Sequence, residues 1–126
     1  MFSIEAKIRS PGLGGRLAVV ADDDLEQRAA LVQHLSGRGY TVAEANDGYE
    51  ALSIIGSQAP LLALLRRRLV ADDADRAAAL ARMLYPQTRI IITANHPELV
   101  PGEAPFTVLT RPVDLHLLDR CLEETA

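Results

Sequence analysis

Apolar residues gather in five short runs along the chain: LAVVA (17–21), YTVAEA (40–45), LLALL (61–65), RIIIT (89–93) and FTVL (106–109). Four of them lack clean alternation, as expected of strands covered on both faces. The segments between repeat at helical spacing. Residues 24–37 place Leu31, Val32 and Leu35 on one face, with Gly37 and Gly39 as a stop. Residues 47–56 carry Ala51, Leu52 and Ile55. Residues 72–84 carry Leu80, Ala81 and Leu84 behind the run ADDAD, whose acids suit a helix N-terminus. Residues 113–124 carry Leu115, Leu118 and Leu122, with Pro112 where a helix start tolerates it. Cys121 on that helix is expected to pack as a small hydrophobe rather than act as a nucleophile. The segment NHPELVPGEAP after the fourth run holds three prolines and a glycine, so a shortened or missing fourth helix is expected there. Strand–helix alternation of this kind predicts an α/β, doubly wound, five-stranded parallel sheet with right-handed crossovers.

Ahead of the first run, Phe2, Ile4, Ala6 and Ile8 alternate with Ser3, Glu5, Lys7 and Arg9, followed by the flexible break SPGLGG. Residues 1–15 are an extra edge strand or arm pairing with a second copy, or else a tail. The tail is preferred, because ordering an arm costs entropy and no partner for it is evident. The domain is then expected over residues 16–126.

At 126 residues, with 48% hydrophobic and 24% charged positions, the chain fits one domain with a real core. A net charge of −4 offers no basic surface for nucleic acid. One cysteine rules out a disulfide framework and a Cys-built zinc site. His34, His96 and His116 lie too far apart for ligand spacing, so no metal or cofactor is expected from them. No apolar run approaches the ~18 residues of a membrane span, and the first residues lack the layout of a secretory signal. A cytoplasmic setting is the expectation.

In an open parallel sheet, ligands bind beyond the carboxyl ends of the strands. The first run ends in ADDD (21–24), the third in Arg66, the fourth in Thr93, and TRP (110–112) follows the fifth. Here the chain resembles the receiver domains of two-component response regulators. VVADDDLEQR looks like their first strand and acidic turn, and ANDGYEAL like the start of their second helix. IIITA looks like their fourth strand, and LTRPVDLHLL like their fifth with its basic residue and proline. Four motifs in this order are a strong signal, although each alone is weak. The resemblance, over roughly residues 17–124, implies a CheY-like, flavodoxin-like sheet of order 2-1-3-4-5. It also implies an aspartate after strand three that accepts a phosphoryl group from a histidine kinase. Two acids would hold Mg²⁺, a Thr or Ser would sense the phosphoryl group, and a Lys would pair with it. By position the acids match Asp22 and Asp23, the hydroxyl Thr93, and the lysine Arg111. The acceptor position, six residues after Pro60, holds Arg66.

A guanidinium forms no acyl phosphate and stays protonated at any working pH. Asp72 and Asp73 lie downstream of RRRLVA and read as solvated helix-start acids, poor substitutes for the acceptor. Asp22 and Asp23 facing Arg66 and Arg111 sum to zero charge, where the family's pocket is formally −2 and takes a divalent cation. The expectation is that Arg66 reaches into the vacated space and pairs with Asp22 or Asp23. Its alternative is an outward turn with Arg67 and Arg68, as a solvated loop or a patch for an acidic partner. Asp24 is expected to cap the first helix, and Thr93 to satisfy a backbone group. Val108 stands where the family has its aromatic switch residue. These departures point to a degenerate, or pseudo-, receiver. It would be non-enzymatic and signal through a protein partner such as a histidine kinase, an output domain or another signalling protein, with a homodimer open through the arm. The competing readings are a phosphorylatable, Mg²⁺-dependent receiver with a non-standard acceptor, and an unrelated flavodoxin-like enzyme or nucleotide binder. The latter is poor, since ADDDLEQ would repel phosphate.

Overall fold

A computed structural model describes residues 16–68, 73–95 and 106–123. Strands β1 (Leu17–Ala21), β2 (Thr41–Ala45), β3 (Leu62–Arg67), β4 (Arg89–Ala94) and β5 (Thr107–Thr110) form one parallel sheet in the order β2-β1-β3-β4-β5. The helices among the described residues are α1 (Leu25–Gly37), α2 (Gly48–Gln58), α3 (Asp73–Leu84) and α4 (Leu115–Glu123). This is the flavodoxin-like order expected from the sequence. The arm at 1–15, most of the proline-rich stretch where a helix was expected to be short or missing, and His96 lie outside the described residues. No helix among the described residues is long and apolar enough to cross a membrane.

The central strands are buried along nearly their whole length, which explains their unbroken apolar runs. Alternate residues feed two cores. Ala18, Val20, Leu62, Leu64 and Ile91 meet Leu31 and Leu35 of α1 and Leu118 and Leu122 of α4. Val19, Ala63, Leu65, Ile90 and Ile92 meet Ala51 and Ile55 of α2 and the alanines of α3. Cys121 packs half-buried against the first of these cores. Asp24 caps α1, accepting from the backbone N–H groups of Glu26 (3.0 Å) and Gln27 (3.2 Å). Gly39, at φ +95°, provides the left-handed turn after that helix. At α4 the cap is Asp114, accepting from His116 N at 2.9 Å, so Pro112 stands before the cap rather than at the first helical position.

The inner face of α3 differs from expectation. Ala74, Ala77, Ala78 and Ala81 are buried, while Leu80 and Leu84 are exposed. Small residues are needed there because α2 and α3 approach closely. A Cβ built on Gly48 would lie 2.8 Å from the Asp73 carbonyl oxygen and 2.9 Å from Ala74 Cα. Both obstacles are backbone, so they yield little. Gly48→Ala is therefore expected to cost about 1–3 kcal/mol by overpacking, read as a lower urea midpoint. An unchanged midpoint would show that the helices separate freely.

β3 also runs two residues further than the apolar run suggests. Arg67 follows Ala63 and Leu65 on the α2/α3 side of the sheet and is 6% exposed. Its Nε donates to both carboxylate oxygens of Asp75 (3.0 and 3.1 Å), and its Nη2 donates at 2.9 Å. A buried cation survives in a strand because this two-pronged partner neutralises it. The acids opening α3 are likewise not simply solvated: Asp75 is buried, and Asp73 Oδ2 accepts from Gly48 N at 2.9 Å.

Candidate functional site

The carboxyl ends of β1, β3, β4 and β5 bring Asp22, Asp23, Arg66, Thr93 and Arg111 to one end of the sheet. Asp22 directly follows β1 and is 1% exposed. Its Oδ1 accepts from Asp24 N at 2.9 Å, and its Oδ2 accepts from Arg111 Nη1. Arg111 is placed by its own backbone, whose N–H donates to the carbonyl of Ala94 at 2.9 Å. Its guanidinium is nearly buried and lies 3.4 Å from Asp24 Oδ2.

Arg66 belongs to β3, in register with Thr93 of β4. Its Nη1 donates to Asp23 Oδ1 at 2.7 Å and stands 4.0 Å from Asp22 Oδ1. The side chain therefore turns inward across the acidic turn. Arg68 meets the other oxygen of Asp23 at 3.3 Å and Asp73 at 3.8 Å. Burial pushes the Asp23 carboxyl up. The Arg66 hydrogen bond, its own backbone N–H and the charges of Arg66 and Arg68 outweigh this and hold its pKa below the ordinary 3.8. Thr93 is 1% exposed, and Val108 packs half-buried on the α2/α3 side.

Residues missed in the sequence complete the frame. Arg28, one turn beyond the α1 cap, donates to the carbonyls of Asp22 (3.2 Å) and Ala45 (3.3 Å) and to Asn46 Oδ1 (2.9 Å). Its Nε pairs with Glu44 at 3.0 Å. It thus ties the ends of β1 and β2 together. Gln27 Oε1 accepts from Val113 N at 3.1 Å, linking α1 to the approach to α4. The clue for Arg28 was its place one turn after the cap, on the side facing the strand ends. Nothing in the sequence marks Gln27. His34, read only as a poor metal ligand, bonds Asp119 at 2.7 Å between α1 and α4.

A cavity of about 470 Å³ opens here, bordered by Arg66, Asn95, Arg111 and Pro112. Nε of Arg66 and Nε of Arg111 are buried without a hydrogen-bond partner, so the ionic bridge leaves two donors unsatisfied. A hard divalent cation wants a shell of oxygens around it. Asp22 is met by the guanidinium of Arg111 and Asp23 by those of Arg66 and Arg68, and Arg66, not a carboxylate, stands at the end of β3 between them. These residues do not fit Mg²⁺. What they can do chemically is hold β1, β3 and β5 together by fixed ionic bridges.

No protein-family model matches the chain. Over 82 residues it is 37% identical to the probable transcriptional regulatory protein NarL of Mycobacterium tuberculosis, covering 64% of this chain and 38% of that protein. The chain thus spans well under half the length of this relative. The solved signal receiver domain of NarL from the same organism matches at 28% identity with a TM-score of 0.69, over 86% of this chain and 94% of that one. A CheY-like response regulator receiver domain from Methanospirillum hungatei JF-1 superposes with a TM-score of 0.76 at 22% identity, over 89% and 94% of the two chains. The chain has the receiver fold.

Proposed function

We propose that this chain is a response-regulator receiver domain that acts in two-component signalling by protein contact, without aspartyl phosphorylation. The observation that carries this reading is the guanidinium of Arg66 at the acceptor position, 2.7 Å from Asp23. A protonated guanidinium is no nucleophile toward an acyl or phosphoramidate donor. Asp72 lies outside the described residues; among those described, the acids nearest downstream are committed elsewhere, Asp73 to Gly48 and Asp75 to Arg67. Val108 in place of an aromatic residue supports the same reading, since no ring is there to report a change of state.

The domain comprises residues 16–126, with 1–15 as a tail, and catalyses no reaction. Its partner is a protein: a histidine kinase, an output domain or another signalling protein. Nucleic acid is not bound by this domain, since the chain as a whole carries a net charge of −4. The test is incubation with a small phosphodonor such as acetyl phosphate and Mg²⁺, followed by intact mass. No phosphoryl adduct is expected. A stoichiometric adduct would overturn the proposal and favour the phosphorylatable receiver with a non-standard acceptor.

A further inference from the structure

The amino edge of the sheet, opposite the acidic turn, carries a second cavity of about 340 Å³. Its wall is built by strand register. Leu62 of β3 lies opposite Ala18 of β1 and Arg89 of β4. Thr41 N donates to Arg16 O at 2.8 Å, and Arg89 N donates to Leu61 O at 2.8 Å. Arg16 and Arg89 therefore flank β3 from the strands on either side, about 12 Å apart at the backbone. Two arginine stems are long enough to span that gap, and both residues line the cavity.

Among the described residues, no carboxylate lines the cavity and neither Arg16 nor Arg89 forms an ion pair. Arg28, Arg38, Arg66 and Arg111, by contrast, each meet a carboxylate. The Arg16 guanidinium is 4.5 Å from the centre of the Tyr40 ring, which holds it over the opening. Leu61, Leu62 and Leu122 supply an apolar base, and Leu61 is 48% exposed. Gln87 adds an amide able to donate or accept. Two cations beside an apolar base, one of them held on Tyr40, in a volume near the lower limit for small-molecule pockets, suit a one-ring organic anion.

We propose that this cavity binds a small organic anion, its carboxylate or phosphate head held by Arg16 and Arg89 and its apolar body on Leu61, Leu62 and Leu122. The site is an input on the domain that does not depend on the acidic turn. A phosphoryl adduct at the opposite end would leave it standing.

The test is a ¹H–¹⁵N NMR titration of the full chain with phenyl phosphate, benzoate, inorganic phosphate and benzyl alcohol. Phenyl phosphate or benzoate is expected to give saturable shifts at the amides of Leu61, Gln87, Arg89 and Leu122. Whichever binds tighter names the head group. Arg16→Gln and Arg89→Gln, tested separately, are each expected to weaken binding about tenfold or more. Their otherwise unchanged spectra report an intact fold. Equal binding of benzyl alcohol, shifts centred on Asp22–Asp24 and Arg66, or unchanged affinity in both variants would overturn the site. Inorganic phosphate binding as tightly as phenyl phosphate would overturn the apolar part of it.

Discussion

Arg67→Ala is expected to remove about 3–5 kcal/mol of stability, the usual cost of breaking a buried ion pair from one side. Against the roughly 5–15 kcal/mol that holds a domain folded, that is a large share. The side chains of Arg67 and Asp75 are 5% and 10% exposed, so neither charge is well solvated. Truncating the arginine leaves the Asp75 carboxylate on the inner face of α3 without its guanidinium, beside Ala74 and Ala78. Arg67→Met combined with Asp75→Leu is expected to recover most of the loss, because a matched apolar pair needs no desolvation of charge. Urea unfolding followed by circular dichroism measures both variants. A loss below about 1 kcal/mol for Arg67→Ala would place the pair in solvent, as for ordinary surface bridges.

Arg66→Asp is expected to turn the bridged pocket into a cation site. The exchange takes the formal charge of Asp22, Asp23, Arg111 and position 66 from zero to −2 and supplies a third carboxylate. A unit charge about 4 Å from an ion is worth roughly 1–4 kcal/mol between water and a surface-site dielectric. Binding about a hundredfold tighter than in the unaltered protein follows. Mn²⁺ as a paramagnetic probe reads this out as broadening of the Asp22, Asp23 and Asp24 amides at correspondingly lower metal concentration. Arg66→Gln, which removes the cation without adding an oxygen anion, is expected to fall between the two. Equal Mn²⁺ affinity in all three proteins would show that position 66 does not face the acidic turn, and the assignment of the acceptor position would fail with it.

The two substitutions touch neighbouring residues with opposite duties. Arg67 holds α3 to the sheet, and Arg66 bridges the strand ends. Strand periodicity separates them, since successive side chains leave β3 on opposite faces. A reading that ended the strand at Leu65 had no basis for this division. It sent Arg66 inward to the acidic turn, with an outward loop or patch of all three arginines as the alternative, and gave Arg67 no partner of its own.

All five strands lay within a residue or two of their apolar runs; the three central ones are buried on both faces and so are written mainly in Val, Ile, Leu and Ala. The cap at Asp24 was equally legible, since an acid just ahead of a helical repeat has one common use. The inward reach of Arg66 followed from charge alone: two carboxylates at a strand end attract the nearest cation. Three features were not legible. The alanine face of α3 reads as the weak side of the helix unless the close approach of Gly48 is known. The Arg67–Asp75 pair joins a strand to a helix across the sheet face, and charged residues in sequence look solvated by default. The cavity between Arg16 and Arg89 joins residues 73 positions apart.

The chain's own order of residues determined the sheet, its helices and the presence of a cation, Arg66, at the end of β3. Each of these depends on local periodicity or on the chemistry of a single position. Tertiary structure alone decided which cations are neutralised and which are left facing open space. Ion pairing depends on distance between side chains, and the sheet sets those distances by stacking strands from distant parts of the chain about 5 Å apart.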